Sequence, residues 1–172
     1  MTPDSTSAEP TEPDYTRLDQ ELFAAVAGQA HRSPRRRMNH NLHEPHDVVQ
    51  RFLNVLQPGT YVRPHRHLRG QPGTGFECVV VLQGAIGLIL MDGNGTVIAQ
   101  ERLEADGPLR GVELRQGQSH TLVALSPDSV LFELKQGPYD PRTDKAFLPG
   151  FPAECTPEAA EQERIWRALF RD

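Results

Sequence analysis

Four residues of this chain have the types and spacing of a metal-ligand set: His65, His67, Glu77 and His120. They sit in a frame of glycines. Five residues separate Gly59 from His65, a single residue separates His65 from His67, six separate Glu77 from Gly84, and two separate Gly117 from His120. Side chains alternate along a strand, so His65 and His67 project to one side while Arg66 points away. Glu77 opens an apolar run, where a carboxylate is costly to bury unless it is paired or metal-bound. His120 opens another, with Leu122 and Ala124 expected on its face. Three imidazoles and a carboxylate make a mixed nitrogen and oxygen site for one divalent metal ion, with Fe, Mn, Ni, Co and Zn undistinguished. Four protein ligands leave up to two positions open on an octahedral ion, as chemistry on a bound molecule requires.

Other residues offer themselves around that centre. Arg35, Arg36 and Arg37, with Asn39, form a basic arm able to hold an anionic ligand, since the arginine fork suits phosphate and carboxylate; the plain alternative is a solvated arm. Tyr61 and Arg63 fall four and two residues before His65, on its face if the strand is regular, although Pro64 threatens that regularity. The substrate-binding candidates are therefore Arg37, Asn39 and Arg63. Proton transfer needs an acid or base near the substrate, and Tyr61, Tyr139 and Lys145 are the catalytic candidates. His40, His43 and His46 have helical spacing, but Pro45 and the asparagines around them point to a loop and against a second metal site. Asp92, Asn94 and Thr96 read as a hairpin turn, because the glycine and the terminal glutamate of a calcium loop are misplaced. Cys78 should turn away from Glu77 into packing, and both cysteines, Cys78 and Cys155, read as free thiols.

Strands must position the ligands. VVQRFLNVL, TYVRPHRH, ECVVVL, AIGLIL, TVIAQERL, GVELR, HTLVAL and SVLFELK are short β-type runs separated by glycine-rich and proline-rich turns. Their even spacing without intervening helices predicts an all-β fold, an antiparallel barrel or jelly roll. Several runs are apolar on both faces, as with Ile86, Leu88 and Leu90 against Ala85, Ile89 and Met91, so an outer face must pack against a helix, the arm or a second subunit. Residues 1–14 are polar and proline-rich, a disordered tail. Residues 15–46 carry a helix and the basic arm, with Thr16 and Asp19 as a capping box, Leu18, Leu22 and Val26 as the apolar stripe, and an end near Gly28. The barrel spans 47–138. Residues 139–172 form an extension and a closing helix, with Thr156 as N-cap, Pro157 in the first turn and Ile165, Trp166, Leu169 and Phe170 on its apolar face.

The metal-ligand pattern resembles a known family. Gly59-x5-His65-x-His67 with Glu77-x6-Gly84 is similar to the first cupin motif, and Gly117-x2-His120 to the core of the second. More narrowly, SPRRRMNHN, VVQRFLNVLQPGTYVRPHRH and SHTLVALSPDSVLFELKQGPYDPRTDKAF resemble the WbuC family of cupin-fold metalloproteins, over roughly residues 30 to 150. The resemblance implies a double-stranded β-barrel holding a metal, and it hints at nucleotide-sugar or polysaccharide chemistry, because the WbuC name comes from genes beside O-antigen biosynthesis enzymes. Two departures stand out. The stretch LRGQPGTGF lengthens the interval between His67 and Glu77 and would suit a lid. Arg115 and Ala124 stand where cupins commonly have proline and asparagine, which touches substrate recognition more than metal binding.

Composition bounds the rest. A formal net charge of -5 over 172 residues argues against nucleic acid or an anionic membrane as partner. The start of the chain resembles neither a signal nor a transit peptide, and its apolar runs are too short to span a bilayer, so a cytoplasmic protein is expected. The expected partners are a small-molecule ligand and a second copy of the chain in a homodimer. Two functions fit: a metal-dependent enzyme of oxygenase, isomerase or lyase type acting on an anionic or sugar-derived molecule, or a non-catalytic module that binds or senses such a ligand.

Overall fold

The computed structural model describes residues 13–68 and 75–171. The expected disordered tail falls largely, and the expected lid mostly, outside the described residues. Among the described residues, ten strands form two five-stranded antiparallel sheets. The first contains β1 (Arg37–Asn41), β2 (Val49–Leu56), β9 (Ser129–Gln136), β4 (Phe76–Gln83) and β7 (Gly111–Arg115), in that spatial order. The second contains β10 (Ala146–Phe147), β3 (His65–Arg66), β8 (Ser119–Ala124), β5 (Ala85–Met91) and β6 (Val97–Glu104). The helices are α1 (Gln20–Arg32) and α2 (Pro157–Ala168). None of the described helices is long and apolar enough to cross a membrane. The arrangement is a double-stranded β-barrel, the jelly roll.

Alternation along the strands decides what fills the barrel and what covers it. Leu56, Val79, Val81, Ile86, Leu88, Leu122 and Leu131 face inward and pack together between the sheets. Their neighbours face out, which explains the doubly apolar strands. Leu53, Val55 and Val130 meet Phe23, Val26, Ala27 and Ala30 of α1. Ile89, Met91 and Val123 meet Tyr61, Ala159 and Trp166, with Phe170 alongside. Gly87 leaves room for Phe170, just after α2, since a Cβ there would lie 2.3 Å from Phe170 Cε2. Of the expected helix face, Trp166 is buried and Phe170 half-buried, whereas Ile165 and Leu169 are exposed.

Three elements differ from their sequence expectation. The N-cap of α1 is Asp19, whose carboxylate accepts from Leu22 N at 3.1 Å, so the helix begins after Thr16 and Leu18. It also runs through Gly28 to Arg32, because Gln29 and Ala30 continue a good helical sequence and one glycine costs only about 1 kcal/mol. The arm is no loop: residues 37–41 pair with 52–56 as an edge strand, so the first sheet begins before residue 47. Conversely, TYVRPHRH yields only the two residues of β3.

Polarity divides the inner face of the first sheet along its length. Gln50, Lys135 and Glu77 form one cross-strand row, and Phe52, Glu133 and Val79 the next. Asn54, Leu131 and Val81 follow, with Leu56 beyond them. One end of the barrel is therefore apolar core. The other is a polar cavity.

Candidate metal centre

The register brings the histidines together. His65 of β3 stands directly opposite His120 of β8, their ring centroids 4.6 Å apart, and His67 follows two residues on with its centroid 5.0 Å from that of His65. All three are buried, and one possible ligand atom from each lies within 4.8 Å of the others. Glu77, from the facing sheet, places Oε2 3.1 Å from His120 Nε2 and 3.3 Å from His67 Nε2.

Each imidazole has its tautomer decided by its other nitrogen. Nδ1 of His65 lies 2.9 Å from the Arg63 carbonyl, Nδ1 of His120 lies 3.1 Å from that of Gln118, and Nδ1 of His67 lies 2.5 Å from that of Asp144. A carbonyl can only accept, so each Nδ1 carries a proton and each Nε2 is the nitrogen left to face the centre. This is the usual outer support of a metal-bound histidine.

The donor set fits a divalent ion. His67 Nε2 and Glu77 Oε2 are buried without any hydrogen-bond partner, although they face each other at ion-pair distance. Bonds of about 2.1 Å put adjacent ligand atoms about 3.0 Å apart on an octahedron and about 3.4 Å apart on a tetrahedron, and the 3.1 and 3.3 Å separations fall in that interval. Burial disfavours the Glu77 carboxylate, but the charges and hydrogen bonds of His120 and then His67 together outweigh it and hold its pKa well below the usual range. Burial, then the Lys145 charge, push His65 well below an ordinary histidine pKa, leaving a neutral imidazole. Burial pulls His120 the same way, yet the Glu77 carboxylate wins and raises its pKa. An arriving cation therefore displaces a proton there.

The centre opens into a cavity of about 730 Å³ lined by His65, Glu77 and His120 at its floor. Asn39, Tyr139 and Lys145 also line it. Protein crowding and then the Lys135 charge lower the Lys145 ammonium pKa, although water still reaches this side chain through the cavity. Arg37 lines the cavity too, but its guanidinium is already committed: it donates to Glu154 Oε1 at 2.5 Å and to the Tyr61 carbonyl at 2.8 Å.

Two expected pocket residues lie elsewhere. Tyr61 stacks on Trp166, ring centroids 5.6 Å apart and planes within 5°, and its hydroxyl donates to the Pro152 carbonyl. Arg63 covers the Phe147 ring at 5.0 Å and does not line the cavity. Both depended on strand alternation running back from His65, and β3 has no residue before His65. His43 Nδ1 meets the backbone of Arg51, and the His65, His67 and His120 cluster is the metal-capable group among the described residues. Cys78 and Cys155 are free thiols.

Sequence reasoning missed the wall of the cavity. Glu133 is buried and accepts from Asn54 Nδ2 at 2.8 Å; Lys135, two residues on, donates to Asp144 Oδ2 at 2.8 Å. Burial, reinforced by the Glu77 charge, raises the Glu133 carboxyl pKa. The available signal was two charges at period two inside the apolar strand SVLFELKQ, in phase with Leu131.

A family model described as a domain of unknown function, DUF6016, matches residues 18–103, half of the chain. The chain belongs to this family. The matched stretch of this DUF6016 protein includes His65, His67 and Glu77 but stops before His120. No curated protein matches it. Among solved structures, the capsular polysaccharide assembling protein CapF from Staphylococcus aureus superposes with a TM-score of 0.52 at 21% identity, over 64% of this chain and 29% of CapF. KdgF from Halomonas sp. gives a TM-score of 0.47 at 22% identity, over 62% and 82% of the two chains. A cupin superfamily protein from Desulfitobacterium hafniense gives 0.45 at 15% identity, over 58% and 76%. This chain thus spans less than a third of CapF's length, and the likeness at this identity concerns fold alone. The DUF6016 chain has a double-stranded β-barrel of jelly-roll type with an N-terminal and a C-terminal helix, a fold it shares in part with CapF.

Proposed function

We propose that this protein is a metal-dependent cupin enzyme in which His65, His67, Glu77 and His120 hold one divalent ion. The observation that carries the reading is the meeting of buried, unpartnered ligand atoms at the cavity floor, with every imidazole locked in the same tautomer from behind. When bound there, the ion supplies Lewis-acid polarisation of an oxygen ligand or activation of O2, which is compatible with oxygenase, isomerase or lyase chemistry.

The chain's own residues suit a small anionic or sugar-derived substrate. Among the described residues Lys145 is the cavity cation outside the site's ion pairs, whereas Lys135 is held by Asp144 and Arg37 and Arg35 by Glu154. Lys145 therefore binds the anionic group, and Asn39 supplies amide hydrogen bonds at the rim. Glu133 favours an enzyme over a non-catalytic binding module, because burial and the Glu77 charge raise its carboxyl pKa in the direction a general acid requires. The WbuC resemblance extends the proposal to a role in polysaccharide biosynthesis. A cytoplasmic homodimer belongs to the same reading, and the exposed Val97 and Ile98 of edge strand β6 support the dimer.

Elemental analysis of freshly purified protein tests the centre. Close to one divalent ion per chain is expected, and His65→Ala or His120→Ala should strip most of it. Absence of metal in the native protein, with no uptake on reconstitution, would overturn the reading.

A further inference from the structure

We infer that Asp144 is a positioning residue for His67, and that the buried Lys135–Asp144 pair holds the segment that carries it. This rests on the metal-centre reading above.

The three histidines are not supported alike. His65 and His120 donate to carbonyls two residues earlier in their own chain segments, those of Arg63 and Gln118. Their tautomers are decided locally. His67 donates to the carbonyl of Asp144, 77 residues away, so its orientation depends on how segment 138–148 docks across the barrel.

That docking has a specific lock. Lys135 Nζ donates to Asp144 Oδ2 at 2.8 Å, and both side chains are 5% exposed. Gln50 Nε2 donates to the other carboxylate oxygen at 3.3 Å. Gln50, Lys135 and Glu77 form one cross-strand row, so the wall that presents the Glu77 ligand also anchors the support of His67. Beyond Asp144 the segment is held by backbone pairing, Ala146 and Phe147 with Arg66 and His65 and Leu148 N to the Pro64 carbonyl, and by the packing of Phe147 against Arg63 and of buried Leu148 beside Tyr61. Lys145, which lines the cavity, is the residue next to Asp144. The same lock therefore sets the place of a metal ligand and of the proposed anion-binding ammonium.

The test is Co2+ binding to the full chain, measured by chelator competition and by the visible absorption spectrum at saturating cobalt. Asp144→Asn and Lys135→Met should each weaken binding about 10- to 100-fold. Both should shift the cobalt bands toward those of His67→Ala, a change that mere loss of stability would not produce. Asp144→Asn combined with His67→Ala should bind no worse than His67→Ala alone. Arg142→Ala, on the same segment but exposed, should match the parent protein. If an uncompensated buried charge prevents a single variant from folding, the Asp144→Asn, Lys135→Met double variant removes both charges and is held to the same expectation. Variants that bind cobalt within twofold of the parent and keep its spectrum would overturn the role of Asp144 and leave the metal centre standing. A parent protein that binds no cobalt would overturn the metal centre itself.

Discussion

Asn54 Nδ2 donates to Glu133 Oε1 at 2.8 Å, a diagonal pair across β2 and β9 on the wall facing the three histidines. The bond favours ionised Glu133, yet burial and the Glu77 charge dominate and raise its pKa. The folded state therefore binds this proton more tightly than the unfolded chain. Its contribution to stability is complete below the ordinary glutamate pKa and is lost as pH rises through the raised value. Glu133→Gln in chelator-treated protein should show a melting-temperature advantage over the parent that grows from pH 4 to pH 8. A constant difference across that range would count against a proton on Glu133.

Glu154 should behave in the opposite sense. Burial disfavours its charge, but Arg37 and then Arg35 outweigh burial and lower its pKa. Its stabilisation is present above the ordinary glutamate pKa and is lost as pH falls through the lowered one. Glu154→Gln should cost about 1.5–3 kcal/mol at neutral pH, the worth of a hydrogen bond to a charged group. Denaturant titrations should show that cost shrinking as the pH is taken below the usual carboxylate range.

Tyr61 is packed between Trp166 and the Pro152 carbonyl, and burial, the first cause, pushes its phenol up to about 12. Tyr61→Phe should lose only about 0.5–1.5 kcal/mol of stability, one hydrogen bond, and leave metal content unchanged. A large fall in metal content would return Tyr61 to the site.

The motif glycines are there for their backbone. Gly59, Gly84 and Gly117 all have positive φ, at 91°, 74° and 83°. At Gly84 a Cβ would also lie 2.6 Å from Ser126 Oγ and 2.9 Å from Ser129 Oγ. Gly84→Ala should cost about 1–3 kcal/mol by thermal or denaturant unfolding. A neutral substitution would show that the β4–β5 turn can relax.

Some of this protein was determined by local sequence and some only by the closed barrel. The strands, the alternation and the His65, His67, Glu77 and His120 set follow from residue type and short spacing, because a period of two sends His65 and His67 the same way in any strand. The cap at Thr156 and the proline after it are equally local, and they stand where expected. The edge strand at 37–41 was invisible because its residues form a strand only by pairing with β2. Tyr61 and Arg63 were misplaced because alternation was carried back through Pro64, where no strand exists. Glu133, Lys135 and Asp144 escaped notice because a charge becomes part of a site only when register and docking surround it. Sequence thus supplied the proposed ligands, while tertiary structure chose the wall that faces the buried His65, His67 and His120 cluster and the distant carbonyl that meets His67.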